Sequence, residues 1–121
     1  MSDVIDVIIP ARDASKTIAG VVRPFVDHPA IGDIFVIVNP PDVNTDHALA
    51  EFAGRNVITQ HVWADGKGEA VMYGLQMVAT PHIIFCDADI TGLRSHHIGL
   101  LISDAVMDED SLLIEIGRAH V

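Results

Sequence analysis

Residues 82–89 read HIIFCDAD, and this segment decides how the fold of the whole chain is interpreted. An apolar run as short as residues 83–86, bounded by a proline and by acids, predicts a strand that is buried on both faces. Asp87 and Asp89 follow it directly. If the extended geometry continues, their side chains point the same way, because side chains alternate along a strand.

Carboxylates at this position suggest a ligand site. In open α/β sheets ligands bind beyond the carboxyl ends of the strands, and oxygen ligands suit Mg²⁺ or Mn²⁺. Asp87 and Asp89 are therefore candidate metal ligands. From this segment alone, an acidic loop that caps the next helix is an equal alternative.

Outward from this segment, apolar strands alternate with amphipathic helices. Strands are predicted at residues 4–9, 34–38, 57–62 and from 112, and helices at 15–28, 46–54, 70–79 and 96–107. This order predicts an α/β fold with a parallel sheet, helices on both faces and right-handed crossovers. The loops that follow the strands, where a ligand would bind, are residues 10–15, 39–46, 63–68 and 87–92.

Composition limits the classes of function. The chain has 121 residues, enough for one domain, and a formal net charge of −10 from 17 acids against 7 lysines and arginines. Such acidity argues against nucleic acid or an anionic membrane as a partner. We expect no transmembrane segment and no secretory signal, and the single Cys86 fits a reducing, cytoplasmic setting.

Two of the strand-end loops carry further candidate residues. Gly66-Lys67-Gly68 stands just before a predicted helix, where glycines and a lysine can meet a phosphate. A lone motif of this kind is weak, and an ordinary strand-to-helix turn is its more common explanation. Residues 10–13 (PARD) could cradle a base or ribose, or form a structural turn. Neither the dinucleotide-binding G-x-G-x-x-G nor the P-loop signature occurs, and adjacent His96 and His97 would point apart on a helix.

Together these segments resemble the N-terminal half of a family 2 glycosyltransferase with the GT-A fold, in the nucleotide-diphospho-sugar transferase superfamily. Residues 7–18 (VIIPARDASKTI) resemble the family start VIIPARNEEKTI, and 65–70 (DGKGEA) resemble NGKGxA. Residues 85–90 (FCDADI) are similar to FLDADL, the DxD motif. Residues 44–46 resemble the end of DDGSTD, and 91–98 (TGLRSHHI) resemble TGLTPEHI of glucosyl-3-phosphoglycerate synthases.

The resemblance implies a Rossmann-like nucleotide-binding half of an enzyme that transfers sugar from a UDP- or GDP-sugar to an unknown acceptor. It implies that Mg²⁺ or Mn²⁺ bridges the two phosphates, with Asp89 as ligand and Asp87 on the metal or ribose. The nucleotide-sugar-binding residues expected here are Pro10, Ala11, Arg12, Asp13, Asn39, Lys67 and Asp87.

The chain also departs from the family pattern. Asn39-Pro40-Pro41 replaces the usual acidic pair after the second strand, and Ala14 replaces an expected Glu. No catalytic residue is assigned, because the general base of inverting members is expected in a C-terminal half. Two other functions stay open: a sugar-phosphate nucleotidyltransferase, or a non-catalytic nucleotide-binding module.

The end of the chain supports an expectation of truncation. Residues 115–121 (EIGRAHV) match the translation of a common sequencing-adapter oligonucleotide, although LxIGxR also occurs in family strands. We therefore expect residues 1–114 to be the nucleotide-sugar-binding part and 115–121 a non-native tail. A truncated sheet would expose an edge, so we also expect dimerisation or aggregation through it.

Overall fold

The computed structural model describes residues 4–107 and 113–117. Its centre is a five-stranded sheet with the order β3-β2-β1-β4-β5, in which every pair of neighbours is parallel. The strands are β1 (Ile5–Ala11), β2 (Ile31–Val38), β3 (Val57–His61), β4 (Ile83–Cys86) and β5 (Leu113–Ile116). The predicted α/β class and parallel sheet are thus confirmed.

A helix follows each of the first four strands. These are α1 (Ile18–Val26), α2 (Val43–Leu49, continued by a 3-10 turn at Ala50–Phe52), α3 (Gly66–Leu75) and α4 (Ser95–Met107). Helix α2 begins earlier than predicted because the Asp42 carboxylate accepts the Asn44 amide at 2.9 Å and so caps it. Helix α1 contains Pro24 and ends two residues later, as expected where proline removes a donor.

The main core lies between the sheet and helices α1 and α4. The spacing of apolar residues predicts that one face of α1 packs inward, and all five residues of that face are buried: Ile18, Val21, Val22, Phe25 and Val26. In α4 the spacing predicts Ile98, Leu101, Ile102 and Ala105 as the inward residues. Ile98 and Ile102 are buried on the same side and Leu101 is partly buried there, while the side chain of Ala105 lies outside the described part of the chain. Strand β4 contributes Ile84 and Cys86 to this face, so the lone thiol is a core residue.

The spacing of apolar residues predicts Val71, Leu75 and Val78 as the inward stripe of α3, and this prediction is wrong. Val71 and Val78 are only half-buried and Leu75 is exposed, whereas Ala70 and Gly74 face the sheet. Gly74 allows this approach, because a Cβ there would lie 2.7 Å from Cγ2 of Ile8. Small residues give little hydrophobic signal, so periodicity selected the wrong face.

Strand β5 extends further than the sequence interpretation allowed. It includes residues 115 and 116, which were set aside as part of a tail, and Ile116 is buried against the core. The origin of residues 115–121 stays a prediction, and residues 118–121 lie outside the described part of the chain. Strands β3 and β5 form the edges of the described sheet, and association through an edge stays a prediction.

Within residues 4–107 and 113–117, no helix combines the length and apolar character that a membrane span needs.

Candidate functional site

A cleft of about 300 Å³ opens at the carboxyl edge of the sheet, beyond β1, β2 and β4. We call it the carboxyl-edge cleft. Its walls are Pro10, Ala11, Arg12, Ala14, Asn39, Gly66, Lys67, Ala70, Asp87, Ala88 and Asp89. All four loops predicted to face a ligand therefore contribute to this cleft, since parallel strands bring their carboxyl ends to one edge.

The acidic pair lies on a turn rather than on a continued strand. Strand β4 ends at Cys86, and residues 88–89 form a turn, so the predicted extended geometry does not persist. Asp87 is half-buried, Ala88 is buried and Asp89 is exposed. Both acidic residues nevertheless line the same cleft.

The carboxylate of Asp87 is paired with a lysine from the opposite wall. Its Oδ1 lies 2.6 Å from Nζ of Lys67, with side chains 35% and 64% exposed. Lys67 stands in the first turn of α3, where Gly66 adopts a φ of +86°, a conformation that side chains rarely tolerate. The start of this helix adds partial positive charge beside the lysine, because its first amides have no partner within the helix.

The side chain of Asn39 stabilises the cleft wall through two hydrogen bonds to the backbone of Ala64. Its Oδ1 accepts the Ala64 amide at 2.9 Å and its Nδ2 donates to the Ala64 carbonyl at 3.2 Å. This buried side chain therefore joins the end of β2 to the loop before α3. Asn39 thus lies on the cleft wall, and its predicted role in binding a nucleotide sugar stays a prediction.

The residues of the loop after β1 do not all line the cleft. Pro10, Ala11 and Arg12 line the cleft as predicted, but Asp13 is absent from the walls given above, although the structure describes it fully. Asp13 is exposed and adopts a φ of +49°. By residue type, either Asp13 or Ser15 is predicted to cap α1, but the cap position is Thr17, so this prediction is wrong.

Thr17 is the residue that sequence reasoning missed. Its hydroxyl lies 2.7 Å from the carbonyl oxygen of Ala88, the residue between the two acids. The two positions are 71 residues apart in sequence, so no local pattern could have connected them. Among the cleft walls, Ala14, Ala70 and Ala88 were missed as well, because alanine carries no chemical signal.

Burial and charge act together on the residue before Asp87. The pKa of the Cys86 thiol is raised to about 12, mainly because burial disfavours the thiolate and secondarily because Asp87 is negative, while Lys67 opposes the shift. A thiol held neutral in this way is a packing group rather than a nucleophile.

The structure limits how this site could hold a metal ion. Across the described residues, no group of three or more His, Cys, Asp or Glu side chains is placed to bind one. Asp87 and Asp89 could supply two oxygen ligands, so further ligands would have to come from water or a bound molecule. His97 accepts the Arg94 amide at 3.0 Å through Nδ1, and so serves the start of α4.

The sequence of the chain is similar to those of glycosyltransferases. The family model for glycosyl transferase family 2 matches residues 6–111. A 4,4'-diaponeurosporenoate glycosyltransferase of Staphylococcus aureus (strain MRSA252) is 26% identical over 119 residues, which cover 95% of this chain and 32% of the relative. The chain thus spans about a third of the curated relatives that it matches.

Solved structures share the fold. Glucosyl-3-phosphoglycerate synthase from Mycobacterium tuberculosis, in complex with uridine diphosphate, superposes with a TM-score of 0.70 at 22% identity, over 86% of this chain and 40% of the other. A second mycobacterial protein superposes with a TM-score of 0.65 at 21% identity, over 87% and 37% of the two chains.

Proposed function

The chain belongs to glycosyl transferase family 2, and from that membership we propose that it forms the donor-binding half of a glycosyltransferase. The donor would be a nucleoside diphosphate sugar carrying UDP or GDP, and the sugar would pass to an acceptor held by the rest of the protein. The observation that carries the proposal is that Lys67, Asp87 and Asp89 meet on one cleft at the carboxyl edge of the sheet.

The nucleoside would lie against the first loop. Pro10 and Ala11 present apolar surface at the end of β1, and Asn39 closes the cleft from the end of β2. The volume of about 300 Å³ is at the lower end of the range for small-molecule sites. In the related mycobacterial synthase, the bound molecule is uridine diphosphate.

The diphosphate would lie between Lys67 and the acidic pair. The chain carries a strong negative charge, so a diphosphate needs local positive groups, and the ammonium of Lys67 and the first turn of α3 provide them. Lys67 now contacts Asp87, and rotation of its flexible side chain would let it reach a phosphate instead.

Asp87 and Asp89 fit a Mg²⁺ or Mn²⁺ ion that is shared with the diphosphate. Two carboxylates are too few for a site built from protein alone, but they match the pattern in which Mg²⁺ is held by one or two carboxylates plus substrate phosphates. When bound, such an ion supplies Lewis-acid neutralisation of the charge that grows on the departing nucleoside diphosphate. The chain's own contribution is to orient the donor and to hold Lys67 beside it.

Calorimetry tests this proposal directly. We expect UDP or GDP to bind the chain more tightly with MnCl2 than with EDTA. We expect Asp89→Asn to lower the Mn²⁺-dependent affinity about tenfold. Asp33→Asn is the matched control, because it makes the same change of charge at an exposed site in β2, near the amino end of the sheet. Absence of binding by either nucleotide in the presence of Mn²⁺ contradicts the proposal.

A further inference from the structure

Thr17 uses its hydroxyl in an unusual way for its position. A Thr that precedes a helix normally accepts a hydrogen bond from an amide of that helix. Thr17 makes no such side-chain bond to α1, a helix that the structure describes in full. Its hydroxyl lies 2.7 Å from the Ala88 carbonyl oxygen and 3.3 Å from that of Ala14. Since a hydroxyl has a single proton to donate, we assign its hydrogen bond to the shorter contact, with the Ala88 carbonyl.

The carbonyl that accepts this hydrogen bond belongs to the residue between the two acidic residues. Ala88 is buried between half-buried Asp87 and exposed Asp89, in the turn after β4. On its other side, the Asp87 amide donates to the Ile116 carbonyl at 3.2 Å. The turn is therefore held at two points, one in β5 and one at the start of α1.

We infer that Thr17 is a positioning residue for the acidic pair, and this inference rests on the proposed function. The hydroxyl fixes the Ala88 carbonyl, and so fixes the Ala88–Asp89 peptide from which Asp89 extends. The peptide before Asp87 is held by the bond from the Asp87 amide to the Ile116 carbonyl. A turn that is ordered before binding does not lose that freedom when a ligand arrives, so affinity is higher. Thr17 acts through the backbone and contacts no reacting group.

Three variants separate positioning from general stability. Thr17→Val removes the hydroxyl at nearly constant volume, and Thr17→Ser keeps it. Thr45→Val is the matched control, because the Thr45 hydroxyl makes a similar bond, 2.9 Å from Asp42 Oδ2, at a buried site in α2. UDP affinity is measured by calorimetry with MnCl2 and with EDTA, and the melting temperature is recorded for each variant.

We expect Thr17→Val to lower the Mn²⁺-dependent gain in UDP affinity about fivefold, as the loss of one hydrogen bond predicts. The UDP affinity of Thr17→Val in EDTA should stay unchanged. Thr17→Ser should show the full Mn²⁺-dependent gain in UDP affinity, and so should Thr45→Val, even if its melting temperature falls. An unchanged gain in Thr17→Val overturns the inference. A loss that is equal with and without Mn²⁺, or that Thr17→Ser does not repair, also overturns it.

A ligand-free measurement keeps this test apart from that of the proposed function. Hydrogen exchange of the amides in residues 88–90 reports directly on the order of the turn. We expect exchange about fivefold faster in Thr17→Val, and unchanged in Thr17→Ser and Thr45→Val. If the parent chain binds no nucleotide, the proposed function fails, and the exchange rates alone decide whether Thr17 holds the turn.

Discussion

The two ends of the parallel sheet each carry a carboxylate close to the core, and the partners of the two differ. At the amino end, Asp6 is 3% exposed and accepts the backbone amides of Asp33 and Ala79, both at 2.9 Å. At the carboxyl end, Asp87 is half-buried and is paired with the exposed ammonium of Lys67. Backbone donors cannot leave without unfolding, whereas a lysine can rotate away. The first arrangement stabilises a fold, and the second leaves a carboxylate that can exchange its partner for a ligand.

The largest expected effect on stability comes from removing the carboxylate at the amino end. Asp6→Ala leaves two backbone donors without their charged acceptor, so we expect the free energy of unfolding to fall by about 3 kcal/mol. Urea denaturation measures this loss. Asp33→Ala is the control, because its exposed side chain lies at the same end of the sheet. Equal losses in both variants would show that Asp6 does not join these segments.

A second variant tests how tightly the Asp6 carboxylate is enclosed. A Cβ at Gly32 would lie 2.5 Å from Asp6 Oδ1, so Gly32→Ala must displace the carboxylate, and we expect a loss of about 2 kcal/mol by urea denaturation. Gly20→Ala is the control, since a Cβ in that helix meets no atom within 4 Å and should stabilise the chain by about 0.5–1 kcal/mol. If Gly32→Ala leaves the free energy of unfolding unchanged, the Asp6 carboxylate is not tightly enclosed.

These two ends also differ in how far the sequence predicts them. Strand and helix order follows from hydrophobic periodicity, which is local, so the α/β fold and the face of α1 are confirmed. The position of Lys67, Asp87 and Asp89 on one cleft follows from a general rule of parallel sheets. The sequence shows Asp6 only as a polar interruption in an apolar strand.

The contacts that join distant segments could not be predicted from local patterns. Asp6 binds amides 27 and 73 residues away, and Thr17 meets Ala88 across 71 residues. Backbone partners leave no trace in side-chain chemistry, since every residue except proline has an amide. The inward face of α3 was missed for a related reason, because Ala70 and Gly74 pack by being small.

A smaller effect on stability is expected from Cys86, whose pKa reflects its burial at the carboxyl end of the sheet. Its pKa is raised to about 12 in the folded chain from 9.0, so above pH 9 the unfolded thiol loses its proton while the folded thiol keeps it. Stability is complete below pH 9 and falls as pH rises from there, by about 1 kcal/mol at pH 10. Cys86→Ala should lack this decline, which urea denaturation at pH 8 and pH 10 measures. The same decline in both proteins would assign it to other groups.

The smallest expected effect on stability belongs to Lys67, and it completes the comparison. An ion pair as exposed as Lys67–Asp87 contributes little to folding, so Lys67→Met should change the free energy of unfolding by less than about 0.5 kcal/mol. The proposed function requires the same variant to lower UDP affinity about tenfold, because the phosphates lose their ammonium.

Lys16→Met is the matched control, since it removes another exposed lysine without altering the cleft wall. A large loss of stability in Lys67→Met, with nucleotide affinity unchanged, would make the ion pair structural. It would then resemble the contacts of Asp6, and the distinction between a fixed end and an exchangeable end of the sheet would not hold.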